Sequence, residues 1–215
     1  MSLARLGMAP EYPLRAELFS ADQMERHGKA LAGGHRLRPG RRPRRGAERL
    51  LGRLTENEGV LVATGELLKA AVTAGRRIAP AGEWLLDNFH LIEEQVRTAK
   101  RHLPKAYSRE LPRLLDGAPA GLPRVYDIAL EAISHGDGRL DAKSLRRFVA
   151  AYQAVMPLNL GELWAIPIML RLALIENLRR VAARVAAGTT ERDLADRWAD
   201  RMTISTAPLK RSGPG

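Results

Sequence analysis

The stretch Leu160-Gly-Glu-Leu-Trp-Ala-Ile-Pro-Ile-Met-Leu-Arg-Leu-Ala-Leu-Ile-Glu-Asn-Leu178 decides the fold class. Its apolar part, Leu163 to Ile175, is the longest such run in the chain, and Pro167 and Arg171 interrupt it. A bilayer-spanning helix needs about 20 apolar residues. The run is too short for that and reads as a buried helix. The helix is expected to begin near Leu160, to kink or restart at Pro167, and to end near Ala187, where Gly188 closes it. Thr189 or Thr190 would then cap a short helix to Met202.

Working outward, Pro80 to about Leu103 reads as one helix with proline in its first turn. Its stripe is Trp84, Leu85, Asn88, Leu91, Ile92, Gln95, Val96 and Ala99. Acids early and bases late complement the helix dipole, and Pro104 ends the element. Pro123 to Ser134 and Ala142 to Val155 read as helices, the second capped by Asp141. Upstream, Ala47 to Thr73 has leucines at helical spacing and a stop at Gly75. Leu14 to Leu31 reads as the first helix, stopped by Gly33 and Gly34. Tyr107 to Leu122, with Pro112 and Pro119, reads as a loop. No segment sustains the alternation of a strand. The chain is therefore expected to be all-α, an irregular multi-helix bundle. Residues 1–46 form an N-terminal helix and an Arg-rich linker, 47–202 a helical domain, and 203–215 a disordered Ser/Thr/Pro/Gly-rich tail.

The 215 residues include no cysteine. That excludes a disulfide scaffold, thiol catalysis and cysteine-ligated zinc. Met1 to Pro10 has no basic region followed by an apolar one, so no signal peptide is expected and the chain reads as intracellular. The net charge of +11 raises the question of an anionic partner. Its source is biased, since 29 of the 35 basic residues are Arg, as a GC-rich genome would also give. Aromatics make up only 5% and do not interleave with the bases, which argues against a single-strand stacking surface. The charge concentrates between Gly33 and Gly46, at Arg36, Arg38, Arg41, Arg42, Arg44 and Arg45. These six are candidate anion-binding residues, and the alternative function they suggest is a basic module for nucleic acid or an anionic membrane surface, nucleic acid being the less favoured of the two. The plainer reading is a solvated, mobile linker, because the prolines and glycines among them give no fixed geometry.

Chemistry-bearing residues are sparse. His27, His35, His90, His102 and His135 are scattered, and no two histidines have the i, i+4 spacing of a zinc helix. His135 to Asp141 looks briefly like a calcium loop but lacks its ligand pattern and closing Glu. Glu93 and Glu94 point to different faces. Asp127 and Glu131 share a face, which reads as a solvated one. There is no Gly-rich phosphate loop or nucleophile elbow. The expectation is a chain with no catalytic residue, metal ligand or cofactor of its own. More informative are polar residues inside apolar stripes: Asn88 and Gln95 beside Trp84, and Glu162, Arg171, Glu176 and Asn177 around Trp164. Buried, they need partners, because an unpaired buried charge costs several kcal/mol. A helix–helix polar network is the favoured reading, and a surface for another domain or a glycan is the alternative.

Three blocks in order carry a resemblance: Ala81-Gly-Glu-Trp-Leu-Leu-Asp-Asn-Phe-His-Leu-Ile-Glu-Glu-Gln-Val-Arg-Thr-Ala-Lys-Arg-His-Leu-Pro-Lys105, Gly121-Leu-Pro-Arg-Val-Tyr-Asp-Ile-Ala129, and the Leu160–Leu178 stretch. Together they resemble the N-terminal region of bacterial cyclic β-1,2-glucan synthases. The likeness covers about residues 12–200 and fades after Met202. There the family continues into further helices, whereas this chain runs into its tail, which reads as a truncated or altered frame. The resemblance implies a large inner-membrane parent that builds and cyclises a β-1,2-glucan from UDP-glucose. A membrane-embedded glycosyltransferase domain would carry Asp motifs and a Gln-x-x-Arg-Trp motif, and a phosphorylase-like domain would trim chain length. Arg197-Trp198 is the nearest match to that motif, but Leu194 stands at the Gln position, so it reads as coincidence. No catalytic residue carries over. The implied role is a cytoplasmic N-terminal module that partners the remaining domains of the parent.

Overall fold

A computed structural model describes residues 18–38, 46–103, 111–117, 119–136 and 141–205. Among the described residues there are seven helices and no strand: α1 (Ala21–Gly34), α2 (Gly46–Thr73), α3 (Pro80–Asp87), α4 (Phe89–His102), α5 (Arg124–His135), α6 (Ala142–Gln153) and α7 (Leu160–Ser205). The all-α expectation holds. No described helix is long and apolar enough to cross a membrane.

The helix α5 lies at the centre because it is apolar on two faces. Val125, Tyr126, Ala129 and Ile133 face one cluster, shared with Leu54, Leu61 and Leu68 of α2, Ile92 and Val96 of α4, and Met169 and Leu172 of α7. Ile128 and Ala132 face a second cluster, with Met24 and Ala32 of α1 and Phe148, Val149 and Tyr152 of α6. A seven-residue step is close to two helical turns, so Leu54, Leu61 and Leu68 form one stripe along α2. Fully burying each such side chain is worth about 1.5–3 kcal/mol. α1 packs chiefly on α6, while α7 packs on both α5 and α2.

The helix ends follow local chemistry. α2 stops where Gly75 takes φ +70°. There Arg76 N–H bonds the Ala71 carbonyl (3.0 Å) and Gly75 N–H the Val72 carbonyl (2.9 Å), the paired bonds of a Schellman motif. α7 starts with a reciprocal box: Asn159 Oδ1 accepts from Glu162 N–H and Glu162 Oε2 from Asn159 N–H, both at 2.9 Å.

Four expectations are corrected. The first helix does not begin at Leu14: residues 18–20 are non-helical, and Ser20 forms a capping box with Gln23 that sets the start at Ala21. The helix expected from Pro80 to Leu103 breaks at Asn88, whose Nδ2 donates to the Trp84 carbonyl (2.8 Å), an alternative that Asn offers the backbone. The expected stop at Gly188 is absent. Thr189 and Thr190 do not cap a new helix but donate back to the Val185 and Ala186 carbonyls, each at 2.9 Å, and α7 runs unbroken through Pro167 and Gly188 to Ser205. Finally, residues 35–38 of the expected mobile linker are pinned. Arg38 N–H donates to the Arg113 carbonyl (2.9 Å) and Leu115 N–H to the Arg36 carbonyl (2.8 Å). Of the tail expected over 203–215, residues 203–205 are helical and belong to α7, and residues 206–215 lie outside the described residues.

Candidate functional site

The embedded polar residues divide into two groups. Glu162 and Glu176 are buried with partners. Arg124 grips Glu162 bidentately, through Nε (2.5 Å) and Nη2 (2.6 Å), and also donates from Nη2 to the Pro157 carbonyl (2.8 Å). Burial alone would lower the affinity of the Arg124 guanidinium for its proton, but Glu162 outweighs burial and raises it. Arg53 grips Glu176 in the same way (2.8 and 2.6 Å). The Asn57 amide donates to that carboxylate at 2.9 Å and the Tyr126 hydroxyl at 3.4 Å. Burial pushes the Glu176 carboxyl up, yet Arg53, Asn57 and Arg179 outweigh it and hold it below the usual carboxylate range. The two pairs fasten α7 to α5 and to α2. They are also poor acid/base candidates, since both carboxylates are locked in forked Arg pairs. Fourteen residues of helix separate them by roughly 20 Å, well beyond the spacing of about 5–9.5 Å that glycoside hydrolysis uses.

The second group surrounds a groove. Trp84, Asn88 and Gln95 of α3, α4 and the break between them meet Arg171 of α7 around an open groove of about 460 Å³. Ile92 and Ile175 are buried at its base, while Trp84, Leu91 and Leu174 are exposed around it. Among the described residues Arg171 is the one ionisable side chain in the lining, and none of them brings a carboxylate or imidazole to it. Such a surface offers apolar contact area beside a single cation. Trp164 is not part of this lining and stands 75% exposed, and Asn177 is half-buried outside it.

Two of the histidines scattered in sequence, His27 and His135, meet in space, and a third, His35, is buried with partners of its own. His35 bridges the Tyr152 hydroxyl (2.8 Å) and the Asp127 carboxylate (3.0 Å). Asp127 is therefore buried and paired, not part of a solvated face. Glu131 is paired too. Its Oε2 lies 2.7 Å from His27 Nε2 and 3.3 Å from His135 Nε2. The readable signal was Glu131-x-x-x-His135, an i, i+4 pair of unlike ligand types that a search for two histidines passes over; His27 had no local signal.

Of the Arg run, Arg36 is exposed and pairs with Asp116 (3.3 Å), and Arg38 is exposed. Arg41, Arg42, Arg44 and Arg45 lie outside the described residues.

No protein-family model matches the chain. Over 190 residues, 88% of its length, the chain is 35% identical to the cyclic beta-(1,2)-glucan synthase NdvB of Rhizobium meliloti (strain 1021), and the matched segment is 6% of that protein. The resemblance carried by the three sequence blocks stands, as a likeness to a short segment of a much larger protein. Every residue lining the groove falls within the first or third of those blocks.

Proposed function

We propose that this chain is a non-catalytic helical region of a cyclic β-1,2-glucan synthase, and that the groove between α3, α4 and α7 seats another part of that enzyme. Glucan synthesis from UDP-glucose would take place on other parts of the parent, which would hold this region at the cytoplasmic face of the inner membrane. The observation that carries the reading is the groove: an exposed apolar surface, with one charge and no acid/base group, built wholly from the blocks that resemble the synthase. An apolar floor with polar groups near its edge suits a protein segment, since apolar contact gives the affinity and the edge fixes its register.

Two measurements test this. The isolated chain, incubated with UDP-glucose, should release no more UDP than a heat-killed control; release above it would contradict the non-catalytic role. In membranes carrying a related synthase that lacks its corresponding N-terminal segment, the added chain should be retained. Retention should fall at least tenfold when Leu91 and Leu174 are both changed to Asp. Equal retention of wild type and variant would remove the groove as the docking surface.

A further inference from the structure

We propose that His27, Glu131 and His135 form a binding site for a divalent transition-metal ion of the zinc class, joining α1 to α5. The ligand atoms already converge. Two imidazole Nε2 atoms and one carboxylate oxygen lie within 4.8 Å of one another. His135 and Glu131 stand 3.3 Å apart, which is about the ligand–ligand distance of a tetrahedral site with metal–ligand bonds of about 2.0 Å. The His27–Glu131 distance of 2.7 Å is shorter, and a small rotation of the Glu131 side chain opens it. A metal ligand must offer the Nε2 lone pair of a neutral imidazole, so in the bound form each ring is the tautomer with its single proton on Nδ1.

The surroundings hold the rings in place. Phe19 stacks on His135 with centroids 3.8 Å apart and planes 9° apart, and meets His27 edge-on at 5.3 Å. Phe19 N–H donates to the His135 carbonyl (3.2 Å), fixing the segment before α1 against the end of α5. Phe148 lies nearly parallel to the His27 ring, with centroids 6.2 Å apart. The ligands keep partial solvent contact, 24% for His27, 32% for Glu131 and 12% for His135. That leaves a way in for the ion and a position for water, the fourth ligand of an open three-ligand site. Two imidazoles and one carboxylate select borderline ions such as Zn2+, Ni2+ or Co2+ over Mg2+ or Ca2+, which require oxygen ligands. The chain has no cysteine to compete for such an ion.

The test is titration of the whole chain with Zn2+ by calorimetry, with Mg2+ as the contrasting ion. One Zn2+ per chain should bind and Mg2+ should not. His27→Asn, Glu131→Gln and His135→Asn should each weaken Zn2+ binding at least tenfold. The double variant His90→Asn/His102→Asn, altering exposed histidines of α4, should bind as the wild type does. Far-UV circular dichroism identifies any ligand variant that fails to fold. For such a variant, Co2+ added to the unaltered chain should give visible d–d bands, with histidine ring resonances shifted at His27 and His135 and not at His90. Absence of Zn2+ binding, affinity unchanged by the ligand variants, or loss on changing His90 and His102 would each overturn the site.

Discussion

The side chains of Glu162 and Arg124 are 0% and 4% exposed, so each is the other's replacement for water. Glu162→Gln keeps the shape and removes the charge, leaving a buried guanidinium uncompensated. It should cost about 3–5 kcal/mol in urea unfolding; a loss under about 1 kcal/mol would mean the pair behaves as a surface ion pair does. Glu176 gives the pH dependence. Its carboxyl titrates lower folded than unfolded, so the unfolded chain binds the extra proton as acid is added. The stability it contributes is complete above the unfolded value of about 4.3 and is lost as pH falls through the lower folded value. Denaturation profiles at decreasing pH should show this loss in the wild type and a shallower one in Glu176→Gln. Both glutamates were legible as polar groups in an apolar stripe that needed partners. The partners were not, because Arg124 and Arg53 lie 38 and 123 positions away, and nothing local distinguishes them among 29 arginines. The same distance hid His27, which is 104 positions from Glu131.

Helices tolerate glycine according to what stands beside it. A Cβ at Gly28 would lie 2.9 Å from the Phe148 carbonyl oxygen, a backbone atom that cannot rotate away. A Cβ at Gly59 would meet open space. Gly59→Ala should therefore stabilise by up to about 1 kcal/mol through helix propensity alone. Gly28→Ala should destabilise by about 1–3 kcal/mol as α1 is forced off α6. Thermal melts that move both variants in the same direction would show that α1 does not approach α6 this closely. At this scale the sequence was most readable where periodicity and a strong stop agreed, as in α2 with Gly75. It misled where a residue type has two uses. Asn88 looked like a stripe position and instead ends a helix. Gly188, Thr189 and Thr190 looked like a stop and a cap, and instead lie within a helix whose threonines bond back one turn. Proline likewise removes one hydrogen bond at Pro167, and the packing of Ala165 and Met169 at 0% exposure keeps the helix going.

For the molecule as a whole, the groove and the core make separate demands. Leu91 and Leu174 are 46% and 43% exposed, so Leu91→Asp/Leu174→Asp should change unfolding stability by no more than about 1 kcal/mol, at most 0.5 for each surface site. A large loss of stability in this variant would place the two leucines in the core. The composition of the groove could be read from the stripes, because Trp84, Asn88 and Gln95 were on one line and Arg171 on another; that α4 and α7 bring the two lines together could not. The length of α7 has one more consequence. Forty-six residues make a rod of about 70 Å. Thr189 is buried, and the Arg76–Asp193 ion pair holds the next turn, while Leu194, Trp198 and Met202 beyond it are exposed. The ion pair thus acts as a fulcrum, and the stretch from Asp193 to Ser205 is a lever arm of roughly 18 Å. A tilt of about 10° at the fulcrum sweeps its tip by about 3 Å on that arm, so a slight change in how α7 seats against α2 is magnified into a displacement of two bond lengths.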